Sequence, residues 1–152
     1  MFRGIHEHTI DAKGRVSVPA RFRDLIASHA ECSDSDVQLI VTKGMDRCLV
    51  AYPMALWRAF EEKVAALPRF DPAVVKLKRL VVASAAECFI DKNGRMLIPP
   101  VLRQYADVGK DVVWAGMTDT IEIWAKEHWD VQTATTPAEK AAIAQTLTEL
   151  GL

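Results

Sequence analysis

The chain has 152 residues, half of them hydrophobic, and a formal net charge of −1. That length makes one ordinary domain or two small halves sharing an interior, and the near-neutral charge by itself does not single out nucleic acid as a partner. No apolar run approaches a membrane span and no basic-then-apolar leader opens the chain, so a soluble protein is expected.

Ile5–Ile10 reads as a strand that runs into the turn Asp11-Ala12-Lys13-Gly14, and Arg15–Val18 alternates polar and apolar as a half-buried strand does. Pro19 stops that strand and opens a helix to about Ala30, with Phe22, Leu25 and Ile26 on one face. A polar, loop-like stretch follows at His29–Asp36. Val37–Thr42 and Cys48–Tyr52 are two further strands joined around Gly44, and Pro53–Leu67 is an amphipathic helix with Trp57, Phe60, Val64 and Leu67 inward. Asp71-Pro72 caps a second helix that runs to about Ala83. The cycle then restarts with strand Glu87–Ile90, turn Asp91-Lys92-Asn93-Gly94, strand Arg95–Ile98 and a short helix from Pro99. Asn-Gly favours a hairpin in which both residues take positive φ. Val112–Ala115 and Thr120–Trp124 complete the strands, and Thr136-Pro137-Ala138-Glu139 is a capping box for a helix ending near Gly151.

This cycle is a duplication. At a spacing of 80, residues 7–23 and 87–103 share Glu7/Glu87, Ile10/Ile90, Asp11/Asp91, Gly14/Gly94, Arg15/Arg95, Pro19/Pro99 and Arg23/Arg103. The echo continues at a spacing of 72, where Gly44-Met45 answers Gly116-Met117, Leu49 answers Ile121, Tyr52 answers Trp124 and Trp57 answers Trp129. Repetition fixes the architecture before any local feature does. Each copy supplies about four short strands, too few to cover both faces of a sheet. The expectation is a mainly β (α+β) protein: one closed barrel built by pseudo-twofold pairing of the copies, with peripheral helices. The organisation expected is repeat one at 5–53, connecting helices at 54–82, repeat two at 83–126 and a C-terminal helical segment at 127–152.

Charge is distributed unevenly. Residues 1–25 carry five Lys/Arg against three acids, residues 76–103 six against two, and residues 107–127 two against five. Both repeat motifs are basic islands in an otherwise acidic chain, as an anion-binding face requires. Within each motif, Gly14 and Gly94 permit a tight reversal, Asp11 and Asp91 can accept turn N–H bonds, and Arg15 and Arg95 can pair with those carboxylates. The bland reading is a hairpin with a salt bridge. Lys13 and Lys92 add charge at the tips that the turn does not need, and Arg3, Arg21 and Arg23 are expected to gather at the same end. A guanidinium held by Asp11 is pre-oriented for bidentate contact with guanine or phosphate. The outward positions Arg15, Ser17 and Arg21 of repeat one become Arg95, Leu97 and Val101 in repeat two, so repeat one is expected to be open and repeat two partly covered by a neighbouring subunit.

The opening MFRG, the two turns Asp11–Arg15 and Asp91–Arg95, and the runs VSVPARFR, ASAAECFID and LIPPVLRQYA resemble the MraZ family of the SpoVT-AbrB superfamily over residues 1–130. That resemblance implies a duplicated swapped-hairpin or double-psi type barrel. It also implies a ring-shaped homo-oligomer in the cytoplasm, associated with the nucleoid, that binds repeated promoter boxes of double-stranded DNA and represses transcription near division and cell-wall genes. Carried over position by position, it points to Arg15, then Lys13, with Arg95 as the second-copy counterpart; Arg3 and Lys92 complete the expected DNA contacts. The segment from about Thr133 carries no expected role in DNA contact.

Other chemistries find less support. Cys32, Cys48 and Cys88 are odd in number and lack a CxxC pair, which suits a reducing cytoplasm better than disulfides or zinc. His6 and His8 share one side of a strand, but no third ligand stands at useful spacing, and no metal or cofactor is expected. Trp57, Trp124 and Trp129 fall on apolar positions and read as core or subunit interface. A small double-psi barrel enzyme is an alternative, but neither a nucleophile elbow nor an Asp-Thr/Ser-Gly loop nor a carboxylate pair is present. An antitoxin-like interaction module is the other; such modules usually carry one motif and a long disordered tail, whereas two motifs and a capped helix stand here.

Overall fold

The computed structural model describes residues 1–28 and 38–152, so the loop expected at 29–36 and the start of the strand expected at Val37 lie outside the described residues. The elements are β1 (Ile5–Thr9), β2 (Arg15–Ser17), α1 (Ala20–Ser28), β3 (Gln38–Lys43), β4 (Leu49–Pro53), α2 (Met54–Ala65), α3 (Pro72–Leu77), β5 (Ala86–Phe89), β6 (Arg95–Leu97), α4 (Pro100–Tyr105), β7 (Asp111–Met117), β8 (Thr120–Ala125), α5 (Lys126–Thr133) and α6 (Pro137–Glu149). Pro19 and Pro99 end β2 and β6 because they offer no N–H to a ladder, and their carbonyls instead receive the first helical N–H groups of α1 and α4. The helix expected from Asp71 to Ala83 is α3 followed by a π-helical turn at Lys78–Val82, closed by the Ala83 N–H on the Lys78 carbonyl at 2.8 Å. Leu67 lies past the end of α2 and is exposed, so the inward stripe of that helix stops at Val64.

The strands interleave the two copies. Six of them form one sheet in the order β1-β7-β8-β4-β3-β5. Exchanging each strand for its counterpart (β1 with β5, β3 with β7, β4 with β8) reverses this order and leaves the sheet unchanged. The pseudo-twofold axis passes between β4 and β8, where Val50 faces Glu122, and through the β2–β6 ribbon, where Val16 faces Met96. The first strand of each repeat thus pairs with the other repeat. One detail departs from the sequence alignment. The β3–β4 loop spans Met45–Arg47, whereas β7–β8 turns through Thr118 and Asp119 alone, which slips β7 by one residue. Gly116 is therefore the counterpart of Lys43 rather than of Gly44.

The mixed α+β class, mostly sheet with peripheral helices, is as expected, but the sheets are open and do not close into a continuous barrel. The β2–β6 ribbon is a separate two-stranded sheet, tied to the larger one at the Ile90–Met96 bridge. Each ribbon strand is three residues long, set between a tight turn and a proline, which is too short to carry ladders along both edges.

One core serves both repeats: Val16, Val18, Phe22, Leu39 and Leu49 from the first pack with Met96, Ile98, Leu102, Trp114, Ile121 and Ile123 from the second. The outer faces of β3 and β7 are covered separately. Ile40 packs with Trp57 of α2 and Val81, while Val113 packs with Trp124 and with Trp129 of α5. The tryptophans thus pack against the sheet, as expected of core positions. Beyond α5, α6 carries the expected capping box between Thr136 and Glu139, yet all its residues are exposed.

Candidate nucleic-acid interface

Both DxxGR turns fold the same way. The Gly14 N–H reaches the Asp11 carbonyl at 3.0 Å and the Asp11 N–H reaches the Arg15 carbonyl at 2.9 Å, with Gly14 at φ 88°. This is the three-residue loop that ends in a left-handed residue. The Asp91–Arg95 turn repeats it with bonds of 2.9 and 2.8 Å and Gly94 at φ 74°. Asn93 is not among the described residues with positive φ, so Asn-Gly does not form the two-residue primed turn its sequence suggests. The extra residue in each loop moves the left-handed position to glycine alone.

The aspartates organise these turns. Asp11 Oδ1 accepts the N–H groups of Lys13 (3.0 Å) and Arg15 (2.9 Å), while Oδ2 accepts Arg15 Nε at 2.8 Å. The Arg15 N–H, with its guanidinium and the Lys13 N–H adding, holds the Asp11 carboxyl below its ordinary value. Asp91 Oδ1 accepts Asn93 and Arg95 N–H at 2.8 and 3.0 Å, but Arg95 Nε stands 3.7 Å from its carboxylate, beyond hydrogen-bond reach. Asp91 is likewise depressed, chiefly by the Arg95 N–H, then by the Asn93 N–H and the charges of Arg95 and Arg15. The field of Arg15 at Asp91 reflects how close the two copies of the motif come.

That closeness is built by the ribbon. Arg15 faces Leu97 and Ser17 faces Arg95, so the two arginines stand diagonally on the outer face while Val16 and Met96 fill the core beneath. A turn caps each end: the Gly14 carbonyl accepts from Ile98 N–H and the Gly94 carbonyl from Val18 N–H, both at 2.9 Å. At the usual rise of a strand, the two glycines lie roughly 13 Å apart along the ribbon. Lys13 and Lys92 are exposed on the turns, and Arg21 is exposed in the first turn of α1. Arg3 is not brought to the turns themselves. It lies near Gly116, before the start of β1, roughly 25 Å from the turn at strand rise.

Two arginines outside the expected DNA contacts sit against the turn glycines. A Cβ on Gly14 would lie 2.6 Å from Cζ of Arg103, and a Cβ on Gly94 would collide with the guanidinium of Arg23. Their signal was present in the sequence, since Arg23/Arg103 is one of the identities between copies. Of the other candidates, His6 lies edge-on to Phe22 with ring centres 5.0 Å apart, and burial lowers the pKa of His8, with His6 adding. Among the described residues no group of three or more His, Cys, Asp or Glu is placed to hold a metal ion, and no helix is long and apolar enough to cross a membrane.

The duplicated architecture has a counterpart among known proteins. The family model described as "MraZ protein, putative antitoxin-like" matches residues 1–80 and again residues 81–150. This chain belongs to the MraZ family. Among its relatives, the "Transcriptional regulator MraZ" of Desulfitobacterium hafniense is 40% identical over 152 residues, covering 100% of both chains. Its namesake in Thermoanaerobacter pseudethanolicus is 41% identical over 152 residues with the same full coverage. The MraZ of Acidithiobacillus ferrooxidans is 43% identical over 136 residues, 86% of each chain. The boundary between the two family matches falls within the π-helical turn that leads into β5, where the strand cycle restarts.

Proposed function

We propose that this protein is a transcriptional regulator that binds double-stranded DNA in a sequence-specific way and represses from repeated promoter boxes. The observation that carries this reading is the β2–β6 ribbon, which presents two arginines on one outer face with a cationic turn at each end. A two-stranded ribbon fits the major groove, and guanidinium forks suit guanine edges. Arg15 has Nε committed to Asp11, which leaves its Nη groups to read a base. Lys13 and Lys92 touch phosphates, and Arg95, with the looser clasp, is the second reader. Arg3 meets DNA only through a separate contact along the duplex.

One subunit offers few contacts, so affinity comes from several copies acting together. Val101, at 65% exposure, replaces Arg21 of the first repeat and gives the α4 side of repeat two an apolar outer surface, while Leu97 stays on the ribbon face beside Arg15. That surface supports coverage by a neighbouring subunit in a head-to-tail homo-oligomer, which closes into a ring. Aligned turns then engage boxes spaced about 10 base pairs apart, one helical turn. The expected setting is the cytoplasm, at the nucleoid, upstream of division and cell-wall genes. The test is a footprint on the DNA upstream of the protein's own gene, with sedimentation of the same sample. Arg15→Ala is expected to abolish the footprint and leave the oligomer intact. A monomer that ignores every duplex at low salt refutes the proposal. The exposed α6 favours a second reading, a protein-docking module as in antitoxins. Regulation that survives Arg15→Ala but fails on removal of residues 137–152 would establish it.

A further inference from the structure

We infer that Arg103 and Arg23 are positioning residues, each setting the DNA-facing turn of the opposite repeat. The contacts cross between copies. Gly14 is buried and left-handed, and the guanidinium of Arg103, from α4 of repeat two, fills the space where a side chain would start. The same arginine donates from Nε to the Ile98 carbonyl at 3.0 Å, and the Ile98 N–H donates to the Gly14 carbonyl at 2.9 Å. Turn one is thus held from two sides by repeat two. In mirror fashion, Arg23 from α1 of repeat one lies against Gly94, whose carbonyl accepts the Val18 N–H at 2.9 Å. Glycine is needed at both turns for its φ and for its missing Cβ, because the brace occupies that volume.

The two braces are not equal. Arg103 is tied to a carbonyl, whereas Arg23 Nε is buried without a hydrogen-bond partner. The turn under the tied brace has the close clasp, Arg15 Nε to Asp11 at 2.8 Å; the turn under the untied one has Arg95 Nε at 3.7 Å from Asp91. Repeat two therefore makes turn one the preformed reader, and turn two adapts on contact. A preformed guanidinium loses less freedom on binding. Arginine suits the brace because its Nε–H donates along the stem while the planar head covers the glycine; lysine keeps the charge and lacks that donor.

The role of these residues in DNA affinity rests on the proposed function, but the wiring itself is testable without DNA. Hydrogen exchange on the full-length assembly, read by mass spectrometry, compares peptides spanning residues 10–16 and 90–96. Arg103→Met is expected to speed exchange in the first peptide roughly ten- to a hundredfold and leave the second alone; Arg23→Met does the reverse, with a smaller effect. Arg103→Lys should reproduce the turn-one effect, and it serves as the deciding variant if Arg103→Met fails to fold. Equal change in both peptides, or change confined to the mutated repeat, overturns the inference. On operator DNA, Arg103→Met should weaken binding while keeping the wild-type salt slope, and the double variant with Arg15→Ala should bind no worse than Arg15→Ala. A salt slope reduced by about one, with additive losses, would make Arg103 a direct phosphate contact instead. Wild-type protein that binds no DNA refutes the proposed function, and the exchange pattern still decides the brace.

Discussion

Arg15→Lys separates charge from shape at the proposed reading position. Arg15 uses Nε on Asp11 Oδ2, one of its five N–H donors, and keeps the two Nη groups for a base edge. Lysine retains the positive charge, so contacts that depend on counterion release persist and the salt slope stays near the wild-type value. What disappears is the planar fork and its orientation by Asp11. A bidentate base contact is worth about 1–3 kcal/mol, so each engaged turn should lose roughly 5- to 150-fold in discrimination. Two subunits engaged through turn one would lose about 2–6 kcal/mol together if they act independently. The assay is fluorescence anisotropy with a promoter duplex and a scrambled duplex over a range of salt. The expected result is a collapse of the ratio between the two duplexes with little change on the scrambled one. Operator affinity within twofold of wild type, or equal losses on both duplexes, would show that Arg15 acts through charge alone and that the clasp has no part in reading sequence.

Phe22 is fully buried between Phe2 and His6, and Phe22→Ala should cost about 3–5 kcal/mol, seen as a lower urea midpoint with an unchanged slope. Asp11 and Asp91 both titrate below their ordinary 3.8, so the stabilisation they give is complete above about pH 4 and is lost as pH falls through the lower folded values. Asp11→Asn/Asp91→Asn should shrink the drop in urea midpoint between pH 6 and pH 3; an unchanged drop would assign it to other carboxylates. Burial pushes the Cys48 and Cys88 thiols up to about 11 and about 12, so iodoacetamide at pH 7.5 should leave both unmodified in folded protein and label them in urea, as read by mass spectrometry. Removing residues 134–152 should leave the melting temperature of a dilute sample nearly unchanged, because α6 is exposed along its length.

The duplication was legible in the sequence, and with it the paired turns, the prolines that end the ribbon strands and the capped C-terminal helix. These features are local: a glycine forced to positive φ, an aspartate that accepts the N–H two and four residues on, and a proline that cannot join a ladder act within a few residues of themselves. The half-buried strand of the ribbon was legible too, since Arg15–Val18 alternates polar and apolar and buries Val16 and Val18. Only the tertiary structure decided which strands pair. Exchange of β1 and β5 between repeats depends on contacts between residues far apart in sequence, which no spacing encodes, and the three-residue ribbon strands left the sheets open where closure was expected. The same exchange put Arg103 over Gly14 and Arg23 over Gly94, joined Arg15 and Arg95 on one ribbon and left Arg3 apart from them. Sequence identifies which side chains can carry charge at a turn; the interleaving of the two copies sets which of those charges stand together.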